Sequence, residues 1–170
     1  MQRQRPHIDE ILTAFLSAHL KGKTGLRRRR IATADAQLRR CLEAEGHRIL
    51  TDGDSSVLDL EREITPEDAF VRTMFADDLL FGLGIYVSEP WLLPDRVDRG
   101  VQLRFAETLA TQLISWRLID QWDFSCALLD LRGSIRRAKA AQRASHPGPP
   151  IGSIPTIQHR ATDIPPHVSG

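Results

Sequence analysis

The sequence predicts an all-α protein: one bundle-like domain of five or six helices, followed by a disordered, proline-rich C-terminal tail. Apolar residues recur at steps of three and four in several segments, and this spacing places them on one face of a helix. Residues typical of helix starts and helix ends bracket those segments. The one run that could form a buried strand, residues 79–87, would have no partner strand elsewhere in the chain. We therefore expect a helical domain over residues 1–144 and a disordered tail over residues 145–170.

Composition indicates a soluble globular protein. The chain has 170 residues, of which 41% are hydrophobic and 26% charged, and this is enough to bury one core without disulfides or metals. No apolar run approaches the roughly 18 residues that a membrane span needs. No signal peptide is evident, because Asp9 and Glu10 interrupt the N-terminal segment. We expect a cytoplasmic protein that makes no membrane contact.

Charge is distributed in blocks along the chain. Residues 1–50 carry 11 Lys/Arg and 5 Asp/Glu, residues 51–98 carry 3 and 12, and residues 99–170 carry 9 and 5. Two explanations are open. The acidic middle neutralises the basic ends across the folded surface, or a basic surface remains available to a polyanion.

Two helices are expected in the first 50 residues. The first opens near Pro6, carries Asp9 and Glu10 in its first turn and ends at Gly22. The second ends at Gly46, which we expect in the left-handed conformation that closes a last turn. The apolar faces consist of Ile8, Ile11, Leu12, Phe15, Leu16, His19 and Leu20 in the first helix and Ile31, Ala34, Leu38, Cys41 and Leu42 in the second.

The turn between these helices is strongly basic: residues 21–30 contain six lysines and arginines. Successive helical positions turn by about 100°, so the four arginines at 27–30 cannot share one face. They also stand at a helix N-terminus, where the helix dipole disfavours each cation by roughly 0.3–1 kcal/mol. Helix stability alone does not explain such a run. A phosphate, an acidic cluster of the same chain or an acidic partner would offset its cost.

The same region carries a family resemblance. After a short helix and a Gly/Thr turn with cations, the second helix presents Thr24, Arg27, Ala34, Leu38, Arg39, Arg40 and Leu42. This pattern resembles the helical N-terminal core-binding domain of tyrosine recombinases, which clamps DNA. The resemblance covers about residues 8–46 and implies that this helix pair contacts DNA. Nothing resembles that family's catalytic domain, since the single tyrosine, Tyr86, lies in an apolar run without an arginine and histidine set.

The acidic middle opens with a segment that resembles a calcium loop only in part. Residues 51–56 form a loop by composition, and residues 57–63 form a short helix whose acidic side faces water. A calcium register from Asp52 puts Glu63 at the last ligand position. It also puts Val57 where the loop needs glycine for its sharp turn. We therefore expect no calcium site.

Three further helices are expected between residues 65 and 118. Thr65 and Pro66 open a helix over residues 69–76 with an N-cap hydroxyl and a proline in the first turn. Residues 79–87 lack a polar face and are too few to distinguish a buried helix from a buried strand by period, and we expect a buried helix because the neighbouring segments are helical. After a rigid connection containing two prolines, residues 95–118 form the longest core helix, around which the others pack.

The last helix is expected to begin near Phe124. Basic residues near a helix C-terminus are favoured by the dipole and need no ligand. Those on the outer faces of this helix are Arg132, Arg136, Arg137, Lys139 and Arg143. From residue 145 onward six prolines among 26 residues, without periodicity, cannot offset the entropy of ordering the chain.

The sequence contains no motif that converges catalytic groups. GxSxG, CxxC, HExxH, GxGxxG and Walker patterns are all absent from it. Cys41 and Cys126 both fall on apolar faces of predicted helices, so we expect two small buried hydrophobes rather than ligands or disulfide partners. We expect no enzyme, no cofactor and no metal.

One functional hypothesis is nucleic-acid binding without catalysis. The cations that would contact phosphates are Lys21, Lys23, Arg27, Arg28, Arg29, Arg30, Arg39 and Arg40. No aromatic residue interleaves them in the sequence, so single-strand stacking is not expected. Binding would be directed at the backbone, weakly sequence-specific and strongly dependent on salt.

The alternative hypothesis is a protein–protein interaction module or a homodimer. The basic ends of one chain would pair with the acidic residues 51–98 of the same or another chain. Trp91, Leu92 and Leu93, between two prolines, would form an apolar anchor if they are exposed, because aromatic residues concentrate binding energy at interfaces. If they are instead part of the core, they serve packing alone.

Overall fold

The structure, a computed structural model, describes residues 5–144, and all its regular elements there are helical. The all-α prediction is confirmed, although this part of the chain contains seven α-helices rather than five or six. They are α1 Ile8–Leu20, α2 Gly25–Glu45, α3 Asp52–Ile64, α4 Ala69–Thr73, α5 Ala76–Tyr86, α6 Arg96–Ser115 and α7 Ser125–Ala144, with a 3-10 turn, Gly46–Ile49, after α2. The predicted disordered tail, residues 145–170, lies outside the described residues.

The core is assembled around α2, not around α6 as the sequence led us to expect. Helix α2 is the longest described helix, with 21 residues against 20 in α6. It packs against α1, α4, α5 and α6. The apolar face predicted for α2 is buried, and Asp35 is buried with it.

Helix α3 begins five residues earlier than expected, because Thr51 is its N-cap. The Thr51 Oγ1 atom accepts a hydrogen bond from the backbone N–H of Asp54. Asp52 and Asp54 lie in the first turn, where negative charge is favoured by the helix dipole. The polar segment predicted as a loop is therefore mostly the first turns of a helix.

The predicted start at Thr65 is wrong, and the reason is tertiary contact. Thr65 instead follows the last residue of α3, and Asp68 precedes α4 with a left-handed φ of 54°. The expected helix over residues 69–76 is also interrupted at Met74. The Met74 carbonyl accepts a hydrogen bond of 3.0 Å from Ile8 N, a donor in the first turn of α1 that has no partner within its own helix. The break thus caps α1 and separates α4 from α5.

Gly46 closes α2 for a different reason from the one predicted. Its φ is −59°, which is ordinary right-handed backbone that any residue adopts. A Cβ atom at this position would lie 2.6 Å from Cζ of Phe70, a fully buried ring on α4. Glycine is required here because α4 approaches the end of α2 closely.

Helix α5 confirms the predicted buried helix at residues 79–87. Leu79, Leu80, Leu83 and Tyr86 are buried, and Tyr86 Oη donates a hydrogen bond of 2.8 Å to the carbonyl of Ala34 in α2. Burial raises the pKa of the Tyr86 phenol. This phenol is a structural hydrogen-bond donor, which ties α5 to the middle of α2.

The two cysteines differ, contrary to the expectation that both are buried. Cys41 is buried, and burial raises the pKa of its thiol to about 12. Cys126 is exposed, because α7 turns Leu128, Leu131 and Ile135 toward the core and Cys126 lies off that face.

Candidate nucleic-acid interface

The basic region occupies the turn between α1 and α2 and the first turns of α2. Gly22 and Gly25 have positive φ values of 72° and 55°, and they bend the chain between the two helices. Thr24 precedes α2 in an extended conformation, and its side chain makes no capping hydrogen bond. No side chain of the described residues therefore caps the first amides of α2.

Five of the eight predicted cations are exposed and unpaired. They are Lys21, Arg27, Arg28, Arg29 and Arg40. Among residues 5–144, no carboxylate oxygen lies within 4.0 Å of any of these five side-chain nitrogens. These five charges thus have no acidic partner in this part of the chain.

Two other predicted cations are engaged within the fold. Arg30 Nε lies 2.9 Å from Asp98 Oδ1, in the first turn of α6, and both side chains are about one third exposed. Lys23 Nζ donates a hydrogen bond to the backbone carbonyl of His19 at the end of α1. Burial lowers the pKa of His19, and the nearby charges of Lys23 and Arg27 lower it further.

Arg39 is a structural residue rather than a free cation. Its Nη1 donates a hydrogen bond of 2.6 Å to Asp9 in α1, and its Nε donates one of 3.1 Å to Asp35, one turn earlier in α2. The Asp35 side chain is only 9% exposed. Burial raises the pKa of Asp35, and the charge of Arg39 opposes that rise. Arg39 therefore compensates a buried carboxylate and joins α1 to α2.

Arg29 and Arg40 share the solvent-facing side of α2. They lie eleven positions, about three turns, apart in Gly25–Glu45, which corresponds to about 16 Å along the helix axis. Thr33 and Ala36 lie between them on the same side and are exposed. Because both are small, an extended ligand could approach the helix between the two guanidinium groups.

The acidic residues 51–98 do not neutralise the basic region. Within the described chain, Asp98 alone of this block pairs with it, through Arg30. Glu61 pairs with Arg72 at 2.9 Å, and Asp77 pairs with Arg5 at 2.8 Å. Ion pairs with residues 51–98 therefore engage only one of the eight predicted cations, Arg30, in the described chain.

The segment predicted as a partner anchor is half-buried and held in place. Trp91, Leu92 and Leu93 are each partly buried, with Trp91 and Leu92 packed against the core. The buried Gln102 side chain fixes their backbone: Nε2 donates to the carbonyls of Tyr86 and Trp91, and Oε1 accepts from Leu93 N. These three residues do not protrude from the surface.

The structure brings Trp91 next to two of the predicted phosphate contacts. A groove of about 620 Å³ is lined by Ala36, Arg39, Arg40, Glu43, Ala44, Asp68 and Trp91. The indole Nε1 of Trp91 is buried and has no hydrogen-bond partner among residues 5–144. Because 51 positions separate Trp91 from Arg40, no local sequence pattern connects them.

Sequence reasoning also missed the large exposed side chains on α3. Val57, Leu60 and Ile64 are exposed, although the solvent-facing side of residues 57–63 was expected to be acidic. The signal was present, because positions 57, 60 and 64 follow the helical spacing of three and four.

Neither a metal site nor a membrane-spanning helix is found in residues 5–144. No group of three or more His, Cys, Asp or Glu residues there could hold a metal ion. No helix of that region is both long and apolar enough to cross a membrane. Comparisons with sequence models of protein families, with curated proteins and with solved structures give no match to this chain.

Proposed function

We propose that the protein is a non-catalytic nucleic-acid-binding protein that contacts the phosphate backbone through the exposed cations of α2 and the preceding turn. One observation carries the proposal: Lys21, Arg27, Arg28, Arg29 and Arg40 have no acidic partner within the described chain. Four of these five lie in or near a helix N-terminus, where the helix dipole disfavours cations. A bound phosphate would offset that cost.

The contacts are of the kind that positions a nucleic acid without reading its sequence. A guanidinium group donates two parallel hydrogen bonds to phosphate oxygens. Arg29 and Arg40 are about 16 Å apart along one face of α2, so they reach phosphates that are not adjacent. Arg27 lies on another side, beside His19. Four of the five cations therefore lie around the N-terminal end of α2, and Arg40 lies about three turns further along the helix.

Duplex nucleic acid is the expected ligand. Single-strand binding uses several aromatic rings on which successive bases stack, and Trp91 is the one tryptophan that lines the groove beside Arg40. A single half-buried ring adds little stacking. The affinity for a duplex should therefore match or exceed that for a single strand of equal length.

The test is duplex affinity measured by fluorescence anisotropy at about 50 and 200 mM salt. With three to five phosphates neutralised, log K should fall against log salt concentration with a slope between about −3 and −4.5. The triple variant Arg27→Gln, Arg28→Gln, Arg29→Gln should make this slope less negative by about 2 to 3. It should also weaken duplex binding more than tenfold.

A control with the same loss of charge separates a local site from a general charge effect. Arg104, Arg117 and Arg137 are also exposed, form no ion pair within 4.0 Å in the described chain, and lie on α6, just after it and on α7. Replacing these three with glutamine should leave the slope within about one unit of the parent value. An equal loss in both triple variants, or no affinity of the parent at low salt, would refute the proposal.

A further inference from the structure

Helix α3 exposes a stripe of large aliphatic side chains. Val57, Leu60 and Ile64 are 52%, 60% and 71% exposed, and we call these three residues the α3 stripe. Their spacing places them on one side of the helix, whereas the single buried residue of α3, Leu58, faces α4 and the core. Single exposed aliphatic residues are ordinary, but a contiguous stripe marks an interaction surface.

Acidic side chains border the α3 stripe. Helical positions place Asp54 and Glu61 along one edge and Glu63 along the other. Asp54 and Glu63 are exposed, and neither forms an ion pair within 4.0 Å in the described chain. A partner for this surface must therefore offer apolar groups together with positive charge.

The outer face of α7 has that chemistry. Leu129 is 60% exposed, and Trp122, in the turn before the helix, is 83% exposed. Arg132, Arg136 and Arg143 follow Leu129 at helical spacing on the same side, and all three are exposed. No carboxylate of residues 5–144 lies within 4.0 Å of these three guanidinium groups. We call this surface the α7 face.

The two surfaces do not meet within one chain. The inner side of α7 packs on α5 and α6, and α3 packs on α4, so both surfaces point outward. We propose that two copies of this chain associate, with the α3 stripe of one copy packed on the α7 face of the other. The aliphatic residues pack on Leu129 and Trp122, and the bordering acids face the arginines.

The size of α3 favours a two-fold arrangement. With 13 residues, α3 is about 20 Å long, and one such helix contact buries less than the roughly 800 Å² per partner of a typical stable interface. A two-fold axis forms the same contact twice, because each copy offers both surfaces. The expected dimer is weak and dissociates as salt screens its charges.

Sedimentation equilibrium of the full chain tests this dimer directly. The parent protein should dimerise in a concentration-dependent manner, more strongly at low salt. The variant Leu60→Asp, Ile64→Asp should raise the dissociation constant at least tenfold while retaining its helical circular dichroism. The control Leu26→Asp, Val97→Asp changes two other exposed apolar residues and should dimerise like the parent.

Mixing two variants distinguishes this interface from other dimers. The variant Arg132→Glu, Arg136→Glu should also be monomeric. Mixed with the Leu60→Asp, Ile64→Asp variant, it should associate more strongly than either variant alone and less strongly than the parent, because one of the two contacts is then intact. A parent protein that stays monomeric, a dimer that tolerates the stripe variant, or a mixture that associates no more strongly than either variant alone would each overturn the proposal. None of these variants changes the cations proposed to bind nucleic acid, so the two proposals fail independently.

Discussion

The arginines in the first turns of α2 and Arg39 in its second half have opposite roles. In the first turns, Arg27, Arg28 and Arg29 are exposed and unpaired within the described chain. In the second half, Arg39 lies between Asp9 and Asp35 at hydrogen-bond distance. The difference arises from the rest of the fold. Helix α1 places Asp9 beside Arg39, and it places no acidic side chain beside the arginines of the first turns. An arginine is thus structural or available according to its neighbours in space.

The largest effect is expected where Arg39 is removed. Arg39→Met leaves the buried Asp35 without its counter-charge, and this should lower the free energy of unfolding by about 3 kcal/mol at neutral pH. Denaturant unfolding measures the loss. Arg40→Met, at the next position, removes an exposed and unpaired cation and should have almost no effect on stability.

The pH dependence of this loss has a defined sign. Burial raises the pKa of Asp35, so the fold favours the protonated carboxyl, and the cost of the charged form appears as pH rises through that pKa. Removing Arg39 should raise this pKa further. The difference between Arg39→Met and the parent should therefore shrink on going from neutral pH to about pH 4. A difference that stays constant or grows would contradict the role of Asp35.

Gly46→Ala should destabilise the second half of α2 by about 1–3 kcal/mol, because its Cβ would overlap the Phe70 ring. Gly84→Ala in α5 is the matched control. No atom lies within 4 Å of the position where its Cβ would stand, and alanine favours a helix interior by roughly 1 kcal/mol over glycine. Thermal unfolding of both variants should thus give shifts of opposite sign. Equal shifts would show that the close approach of Phe70 does not decide the choice of glycine.

Arg30 is an intermediate case between the two halves. Its ion pair with Asp98 is about one third exposed at both side chains, so Arg30→Gln should cost at most about 0.5–1 kcal/mol. The cost should fall as salt is added, because exposed pairs are screened. A loss as large as that of Arg39→Met would mean that this pair fixes the position of α6.

The smallest effect on stability is expected at the exposed end of α2. Replacing Arg28 and Arg29 with glutamine removes cations from a helix N-terminus and should leave stability unchanged or raise it by a few tenths of a kcal/mol per residue. The same variant should bind duplex nucleic acid more weakly. A marked loss of stability would indicate that these arginines belong to the fold, and the contrast between the two halves would disappear.

The spacing of apolar residues and the residues typical of helix starts and ends predicted much of the fold. The helical spacing of α1 and α2 was sufficient because each has one continuous apolar face. For α5 the spacing was uninformative, and the helix was expected because the neighbouring segments are helical and no partner strand is evident in the sequence. The boundaries of α3 and α4 could not be read locally, since the break at Met74 is set by a hydrogen bond from Ile8, distant in sequence. The helix end at Gly46 was predicted. The close approach of the Phe70 ring, which requires glycine at this position, was not.

The sequence predicted which residues make the candidate site basic. It did not predict how those residues are arranged in space. Residues 21–30 identified the basic region without any structure. Their division into paired and unpaired cations could not be predicted, because Arg39 pairs with Asp9 across 30 positions and Arg30 pairs with Asp98 across a longer interval. The position of Trp91 beside Arg40 depends on the same long-range packing.

The difference between the two cysteines gives the chain a natural attachment point for a spectroscopic probe. With a thiol pKa of about 12 and no exposure, Cys41 forms almost no thiolate near neutral pH and should not react with a maleimide. Cys126 is exposed and lies one helical turn before Leu129 on α7. A single fluorophore or spin label can therefore be placed on the unmodified sequence, where its signal reports whether the outer side of α7 is covered.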